Sequence, residues 1–246
     1  MEFYESIAPH YDDIFPLSDT LKGFLVSLGL DRASDSVLDV GSSTGTIPLY
    51  LATRARRIIG IDLDPTMIAI AESRLTAENS PTVAFAVGDM TTIDEVFRAE
   101  QFSLILCLGN TLVHLRSPEM ISGFLARVAR LLTPGGRFVF QILNYERIIG
   151  RHIEELPLID NGKVRFERRY HYRSDSPLLD FETRLIVKAT GATIENSVSL
   201  YPLDRPELDR LLRSTGLTMI SCYGDYAGSP YSPESDLLVA VLTGAE

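Results

Sequence analysis

The chain has 246 residues, of which 45% are hydrophobic, so it is long enough to form one sizeable core. Its formal net charge is −10, and a protein whose main task was to bind nucleic-acid phosphates would usually carry a long basic patch, which this sequence lacks. Two cysteines, Cys107 and Cys222, are too few for a disulfide framework, and no apolar run is long enough to span a bilayer.

The N-terminal stretch MEFYESIAPHYDD is acidic and has no apolar segment of the kind found in signal peptides. We therefore expect no signal peptide, reduced thiols and a cytoplasmic location. Residues 18–28 then show the pattern of a helix, which could cover a ligand site.

From Val37 to Leu143 the sequence alternates short apolar runs with helical patterns. Strands are predicted at residues 37–40, 57–62, 83–87, 102–108 and 137–142, and a turn at 133–136. Helices are predicted at residues 47–55, at 65–75 with Asp64 as N-cap, and from 118 onward with Ser117 as N-cap. This alternation is typical of a parallel, doubly wound sheet, which binds ligands at the carboxyl ends of its strands.

After Tyr145 the pattern changes, because residues 164–172, 181–189 and 193–200 predict three strands joined by short turns, an antiparallel meander. A helix at 206–214 and strands at 217–223 and 236–242 follow. The sequence therefore predicts an α/β fold with a doubly wound, mostly parallel seven-stranded sheet and an inserted antiparallel three-stranded lid.

Residues 41–45 read GSSTG, which fits the G-x-S-x-G pattern of a hydrolase nucleophile elbow. Such an elbow needs an oxyanion loop before the serine, and an acid and a histidine after it in that order. No HGGG-like segment precedes Ser43, and His152 and His171 fall outside any strand-end loop that would meet it. We therefore interpret the segment as a turn that holds a cofactor.

Two carboxylates accompany this turn. Asp39 lies in the strand just before Gly41, and Asp62 ends the next strand, where a ribose diol would lie. The nicotinamide pattern G-x-G-x-x-G is missing because Ser43 takes the middle position, and Asp39 would repel a pyrophosphate. A carboxylate at this place suits a cation, and S-adenosylmethionine (SAM) supplies one in its ammonium and sulfonium groups.

Five segments in order resemble the class I SAM-dependent methyltransferases: LDVGSSTG, GIDLDPTMI, VGDM, LILCLGNTLVHL and LLTPGGRFVFQILNY. They cover Val37 to Tyr145, and the fourth is similar to that of the glycine N-methyltransferase-like small-molecule subgroup. The resemblance implies the Rossmann-like methyltransferase fold and an enzyme of EC 2.1.1 type that moves a methyl group from SAM to an amine or hydroxyl of a small molecule. One departure is Ser43, where the family usually has glycine; serine is tolerable there if its φ is negative.

The resemblance also implies how a single methyltransferase domain, residues 1–246, is organised. Residues 1–35 would form an N-terminal helical cover, and 36–145 the cofactor-binding core. Residues 160–200 would be the inserted meander that serves as a substrate lid, and 201–246 would complete the core sheet.

The resemblance implies a set of cofactor contacts, in which Asp39 helps to bind the ammonium, Asp62 takes the ribose hydroxyls and Asp89 accepts from the adenine amino group. The full implied set is Tyr4, Tyr11, Asp39, Gly41, Ser42, Gly45, Asp62, Leu63, Met67, Gly88, Asp89, Met90 and Leu108. Each of these residues also has an ordinary interpretation as a strand-end cap, a turn former or a core residue. No metal is expected.

Methyl transfer from an activated sulfonium needs an oriented acceptor and the exclusion of water more than it needs a catalytic side chain. The acceptor must still lose a proton. The catalytic candidates are His114, Asn110 and Tyr11. His114 could act as a base, although a lone histidine at a strand–helix turn is more often structural.

The meander contributes candidates for acceptor binding. Arg165, Arg169, His171 and Arg173 share one strand parity. One arginine could clamp an acceptor carboxylate, and the substrate-binding candidates are therefore Asn110, His114, Arg169 and Tyr170. The competing interpretation, which we favour for the arginine stripe, is a solvated face of an antiparallel sheet.

Two alternatives to a small-molecule methyltransferase stay open: a protein that binds SAM or S-adenosylhomocysteine (SAH) without transfer activity, and a methyltransferase that acts on a protein. A nicotinamide dehydrogenase is disfavoured by the missing glycine and by Asp39. We expect a small-molecule acceptor, no nucleic acid or membrane partner, and a monomer or homodimer.

Overall fold

A computed structural model describes residues 2–244, which form eleven strands and nine α-helices within that range. The strands are β1 (Ser36–Val40), β2 (Arg57–Asp62), β3 (Val83–Val87), β4 (Phe102–Cys107), β5 (Leu132–Leu143), β6 (Ile159–Asp160), β7 (Val164–Tyr172), β8 (Leu179–Val187), β9 (Ala192–Leu200), β10 (Leu217–Tyr223) and β11 (Leu237–Gly244). The helices are α1 (Glu2–Ile7), α2 (Tyr11–Ile14), α3 (Asp19–Ser27), α4 (Thr46–Leu51), α5 (Pro65–Ser73), α6 (Ile93–Val96), α7 (Pro118–Leu131), α8 (Tyr145–Gly150) and α9 (Arg205–Leu212).

The main sheet has seven strands in the order β10-β11-β5-β4-β1-β2-β3. Pairing is parallel from β5 to β3, and β11 runs antiparallel to both β5 and β10. The predicted doubly wound, mostly parallel sheet is therefore confirmed. The strand order reverses between β1 and β4, and the crevice at their carboxyl ends is the usual ligand site of such sheets.

Both faces of the sheet are covered by helices, as parallel strands require. On one face α7 packs Phe124, Leu125 and Val128 against Phe138 and its neighbours in β5. On the other face α3, α4 and α5 pack against β1 and β4. All five positions of β1 are buried, so the side chains at its carboxyl end stand in a shielded environment.

The predicted helix caps are confirmed. Asp64 accepts from the backbone N–H groups of Thr66, at 2.8 Å, and Met67, at 3.3 Å, and starts α5 directly after β2. Ser117 accepts from the Met120 N–H at 3.3 Å and starts α7. These caps satisfy helix N–H groups that have no partner within the helix.

Two local differences from the sequence prediction have physical causes. The predicted turn at residues 133–136 lies within the span of β5, but Phe102 pairs with Leu132 and Leu104 with Arg137, so these four residues bulge out of the ladder. The inserted sheet has four strands in the order β6-β7-β8-β9, so the prediction of a three-stranded lid was wrong by one strand. The additional strand, β6, has two residues and is too short to leave a periodic pattern.

The N-terminal residues pack between the two sheets. Phe3, Ile7 and Ile14 form an apolar cluster with the inner face of the four-stranded sheet, including Val164 and Phe166. We call residues 3–15 the roof segment, because they lie over the carboxyl ends of the core strands. The predicted helix at 18–28 is α3, which begins after Ser18 and packs into the core through Phe24 and Leu25.

Both cysteines are free thiols; Cys107 is buried and Cys222 is half-buried. Within residues 2–244, no helix has the length and apolar character needed to cross a membrane.

Two glycines with left-handed backbones test how tightly the core loop is packed. Gly45 (φ +80°) would place a Cβ atom 2.5 Å from the Phe85 ring, whereas Gly29 (φ +64°) has open space around it. We expect Gly45→Ala to lower the free energy of unfolding by about 3 kcal/mol, of which the left-handed backbone contributes about 1 kcal/mol and overpacking the rest. Gly29→Ala is the matched control, with a loss of about 1 kcal/mol. Urea unfolding measures both, and equal losses would contradict the packing argument.

Candidate active site

Three adjoining cavities open at the carboxyl ends of the core strands, and Tyr11 and Gly109 border all of them. The strand-end cavity, about 190 Å³, lies beyond β2 and β3 and contains Asp62, Gly88 and Asp89 in its wall. The loop cavity, about 160 Å³, lies against residues 41–44. The meander cavity, about 240 Å³, lies between β5 and the four-stranded sheet.

Asp39 is the most unusual charged residue of the site. Its side chain is buried at the end of β1 and borders the loop cavity, and its Oδ2 atom has no hydrogen-bond partner among residues 2–244. Burial and the nearby Asp62 carboxylate raise the pKa of Asp39 to about 7. A buried carboxylate oxygen without a partner is costly, and a cationic ligand in the loop cavity would satisfy it.

Asp62 ends β2 and holds the turn that follows β1. Its Oδ2 accepts from the Ser43 N–H and its Oδ1 from the Asp64 N–H, both at 2.9 Å. Burial raises the pKa of Asp62, while these backbone donors act in the opposite direction. The carboxylate therefore fixes the loop on one side and borders the strand-end cavity on the other.

The turn at residues 41–45 has an alternating left-handed backbone, with φ values of +77° at Gly41, +50° at Ser43 and +80° at Gly45. The condition under which serine would be tolerable, a negative φ, is therefore not met. A left-handed serine costs about 1 kcal/mol or more relative to glycine. Its N–H is held by Asp62, and the Gly41 and Ser42 N–H groups donate to the Ile61 carbonyl at 2.8 and 2.9 Å.

A glycine is required at position 41 for a second reason. A Cβ atom there would lie 2.5 Å from the Thr111 side chain. The Thr111 hydroxyl in turn donates to the Leu108 carbonyl at 2.7 Å. Leu108 and Ser42 border the loop cavity, and the buried Ser42 hydroxyl has no hydrogen-bond partner. Asp39, Gly41, Ser42 and Leu108 thus lie together around one cavity. Gly45, the remaining candidate of the loop, lines none of the three cavities and packs against Phe85 and Ala71 instead.

The remaining cofactor candidates line the strand-end cavity. Leu63, Met67, Gly88, Asp89, Met90 and Tyr4 are all in its wall. Asp89 caps a short 3-10 helix, because its side chain accepts from the Thr91 N–H at 2.8 Å. Met67 is buried and Leu63 is about half exposed, so they present apolar surface at two different depths.

Gly109 and Asn110, after β4, are two consecutive left-handed residues that are held by Gln141. The Gln141 side-chain oxygen accepts from the Gly109 N–H and from the Tyr226 hydroxyl, each at 3.0 Å. The Asn110 amide donates to the Tyr145 hydroxyl and accepts from the Leu143 N–H, also at 3.0 Å. Asn110 therefore braces α8 as well as lining the meander cavity.

Gln141 and Tyr226 were missed by sequence reasoning. The signal for Gln141 was present, since it is the one polar residue in the run FVFQIL of a buried strand. Buried polar side chains need partners, and this one finds them in the loop after β4. Tyr226 lies outside the regular elements and left no such signal.

His114 and Tyr4 form a half-buried pair, with 2.8 Å between Nε2 and the phenol oxygen. Burial lowers the pKa of His114 to about 4 and raises the pKa of Tyr4 well above its usual value. Both groups are consequently uncharged at neutral pH. They lie in the wall of the strand-end cavity, and Tyr4 also borders the meander cavity.

The meander candidates divide between its two faces. Arg169 is exposed on the outer face, where it pairs with Glu155 at 3.0 Å, close to the His171–Glu182 pair at 2.9 Å. Tyr170 is buried, and its hydroxyl lies 3.4 Å from that of Tyr145. Neither is in the wall of the three cavities.

Arg168 is the arginine that the structure brings to the meander cavity. Its Nη2 donates to the Pro157 carbonyl at 2.7 Å, while its buried Nε has no partner. Burial lowers the pKa of this guanidinium. The sequence analysis selected Arg169 because this residue belongs to the charged stripe of one strand parity. In the structure, the neighbouring Arg168, which has the opposite parity, faces the cavity.

Among the described residues, no cluster of three or more His, Cys, Asp or Glu side chains is arranged to hold a metal ion. The fold and the site thus define an α/β domain that holds an organic, partly cationic ligand at the switch point of its sheet.

Comparisons with known proteins agree with this assignment. Residues 37–136 match the family model described as a methyltransferase domain. A demethylmenaquinone methyltransferase from Tropheryma whipplei is 36% identical over 107 residues, which are 44% of this chain and 41% of that protein. A glycine/sarcosine/dimethylglycine N-methyltransferase from Actinopolyspora halophila is 25% identical over 224 residues, 85% of this chain and 36% of that protein. The chain thus spans about two fifths of the length of these relatives.

Solved structures share the whole fold. The CcbJ methyltransferase from Streptomyces caelestis has a TM-score of 0.83 at 20% identity and covers 98% of this chain and 96% of that one. The sugar N-methyltransferase KedS8 from Streptoalloteichus has a TM-score of 0.70 at 20% identity, with 99% and 93% covered. Residues 37–136 are thus similar to the methyltransferase domain family, and nearly the whole chain shares the fold of solved SAM-dependent methyltransferases.

The perturbed carboxyl of Asp39 makes stability depend on pH. Its pKa rises from about 4 in an unfolded chain to about 7 in the folded protein, so its contribution to stability is lost as the pH rises through this interval. We expect Asp39→Asn to unfold at a higher temperature than the wild type at pH 8, with a difference that shrinks toward pH 4.

Thermal unfolding of both proteins between pH 4 and pH 8 measures this effect. Glu78→Gln, at an exposed carboxyl, is the control and should follow the wild type at each pH. A wild-type advantage over Asp39→Asn at pH 8 would contradict the assignment of an unpartnered buried charge.

Proposed function

We propose that this protein transfers a methyl group from SAM to an amine or hydroxyl of a small molecule. When bound, SAM supplies a methyl carbon whose bond to the sulfonium breaks as the bond to the acceptor forms, and the acceptor loses a proton. The observation that carries the proposal is the buried, unpartnered carboxylate of Asp39 in the loop cavity, next to a second cavity with Asp62 in its wall.

The residues around the two cavities fit the chemistry of SAM. Asp39 would hold the ammonium end, and Asp62 would accept from the ribose hydroxyls with the lone pairs that the loop N–H groups leave free. Leu63 and Met67 supply apolar surface for the adenine, and Asp89 supplies an acceptor for its amino group. A pyrophosphate would instead meet two carboxylates, and like charges in a shielded site repel strongly.

The meander cavity is proposed as the acceptor site. It shares Tyr4, Tyr11 and Gly109 with the strand-end cavity, so an acceptor there lies beside the cofactor. Aromatic and aliphatic side chains make up most of its wall: Phe3, Tyr4, Tyr11, Phe15, Leu143, Leu156 and Phe181. A mostly apolar cavity of this kind positions a small acceptor and limits its contact with water, which is the main demand of this reaction.

His114 is proposed to orient Tyr4 rather than to act as the general base. A pKa of about 4 makes the imidazole a weak base at neutral pH. The neutral imidazole 2.8 Å from the Tyr4 hydroxyl fixes the position of the phenol oxygen between the two cavities. That oxygen can accept a hydrogen bond from the N–H or O–H of an acceptor in the meander cavity.

Arg168 is proposed to select acceptors with an anionic oxygen group. It is the charged residue in the wall of the meander cavity, and its unpartnered Nε can donate to a carboxylate. The names of relatives include demethylmenaquinone, glycine and sugar amine acceptors, so they select no single acceptor class. A protein acceptor is a weaker candidate because its side chain would have to enter below the roof segment.

The proposal includes the organisation and setting expected from the sequence: one methyltransferase domain with residues 160–200 as substrate lid, a cytoplasmic location, a monomer or homodimer, and no nucleic-acid partner. The charge of −10 and two free thiols support this part of it.

Calorimetric titration with SAH and NAD tests the cofactor class first. We expect micromolar SAH binding and no NAD heat from the wild type. Asp62→Asn keeps an acceptor for the Ser43 N–H, but it removes the charge and turns its amide NH2 toward the Asp64 N–H. SAH affinity should therefore fall about tenfold or more, and the melting temperature should fall as well because one loop hydrogen bond is lost. Binding of NAD, or unchanged SAH affinity in the variant, would contradict the site assignment. SAH binding without any methyl transfer would support the inactive binding protein.

Two neighbouring arginines test the acceptor site. We expect Arg168→Met to raise KM about tenfold or more for amines that carry a carboxylate, as measured by SAH release, and to change KM little for the corresponding amides. Arg169→Met, on the outer face, is the matched control and should leave both unchanged. Equal effects of the two variants would exclude Arg168 from acceptor selection.

A further inference from the structure

The roof segment carries two adjacent aspartates, Asp12 and Asp13, that contact opposite walls of the site. Asp12 contacts the loop at residues 41–45 and the end of α5, whereas Asp13 contacts the turn before β7. The segment between the two sheets is therefore fastened on both sides.

Asp12 is the centre of a network of hydrogen bonds. Its Oδ1 accepts from the Thr44 hydroxyl at 2.6 Å and from the Thr46 hydroxyl at 3.2 Å, and its Oδ2 pairs with Arg74. Arg74 also donates to the Thr44 carbonyl at 3.0 Å and to the Thr46 hydroxyl at 3.3 Å. One network thus joins the roof segment, the cofactor loop and helix α5.

The exposure of the basic partner and the number of hydrogen bonds separate this network from the Asp13 contact. The Asp12 and Arg74 side chains are 35% and 34% exposed, and several hydrogen bonds hold their geometry. Asp13 is 27% exposed and meets Lys163 at 2.7 Å, but the lysine is 73% exposed. Charge-assisted hydrogen bonds in a shielded network are worth far more than a single exposed ion pair.

The network also decides where the aromatic residues of the roof segment lie. Tyr11 directly precedes Asp12 and borders all three cavities, and Phe3 and Tyr4 border two of them. Tyr11 is half-buried, and Ile14 on the other side of the two aspartates is buried. Movement of Asp12 away from Thr44 would draw these residues away from the cavities.

We propose that Asp12 and Arg74 are positioning residues that hold the roof segment closed on the cofactor loop, and that the roof must open there for SAM and SAH to exchange. The identity of the ligand in this inference rests on the proposed function, whereas the contacts between the roof segment and the loop do not. Because Thr44 belongs to the loop that would hold the cofactor, the closed roof and the correctly shaped loop stabilise one another. Tyr4 and Tyr11 are thereby held in the walls of both the strand-end cavity and the meander cavity.

Three variants test the proposal: Asp12→Asn, Arg74→Met and, as the matched control, Asp13→Asn. The first measurement is backbone hydrogen exchange of the free protein, with the buried amides of β4 as internal reference. We expect amides of the roof segment to exchange about tenfold faster in the first two variants, with β4 unchanged, and to change less than about threefold in Asp13→Asn. A general loss of stability would instead accelerate β4 as well.

The second measurement is the dissociation rate of labelled SAH after a chase with excess unlabelled SAH. We expect about tenfold faster release from Asp12→Asn and Arg74→Met and partial restoration in Arg74→Lys, which keeps the charge. A lower kcat with a nearly unchanged acceptor KM should accompany the faster release.

The outcomes separate this inference from the proposed function. Unchanged roof exchange in both Asp12→Asn and Arg74→Met, or an equal effect of Asp13→Asn, would overturn the proposal. A wild type that binds no SAH would overturn the proposed function, while the exchange data would still decide whether the network holds the roof.

Discussion

The site depends on one unfavourable interaction, the burial of Asp39 close to Asp62 at the switch point of the sheet. Asp62 is stabilised by two backbone N–H groups, but Asp39 has a buried oxygen that nothing in the described chain satisfies. A carboxylate in this position lowers the stability of the fold and is tolerated where a ligand supplies the missing charge. The ligand class follows from this constraint more directly than from the shape of the cavity.

The strained turn after β1 serves the same pair of carboxylates. Left-handed conformations at Gly41, Ser43 and Gly45 turn successive N–H groups toward Ile61 and Asp62, so the loop is fixed before any ligand arrives. A fixed loop avoids the entropic cost of ordering it on binding. Ser43 shows that the backbone geometry, and not the glycine itself, is what the site requires, because here a serine adopts it.

Local patterns in the sequence predict the core of this protein well, and fail where the contacts are distant or depend on a single residue. The core strands and the caps at Asp64 and Ser117 follow from periodicity and capping chemistry, since those forces act within a few residues. The two-residue strand β6 has too few residues for a pattern. The choice between Arg168 and Arg169 depended on which parity faces the core, and charge alone misidentified it.

The least predictable part is the network around Asp12, because its partners lie 32 and 62 positions along the chain and share no pattern with it.

Different parts of the fold form the cofactor side and the acceptor side of the site. The core sheet supplies a rigid, charged surface with caps and turns that leave little freedom at Asp39 and Asp62. The roof segment and the four-stranded sheet supply the aromatic walls of the meander cavity, through side chains that could change without altering the loop. A fold arranged in this way can keep one cofactor while its acceptor varies, since the meander cavity shares with the other two cavities only Phe3, Tyr4, Tyr11, Phe15 and Gly109.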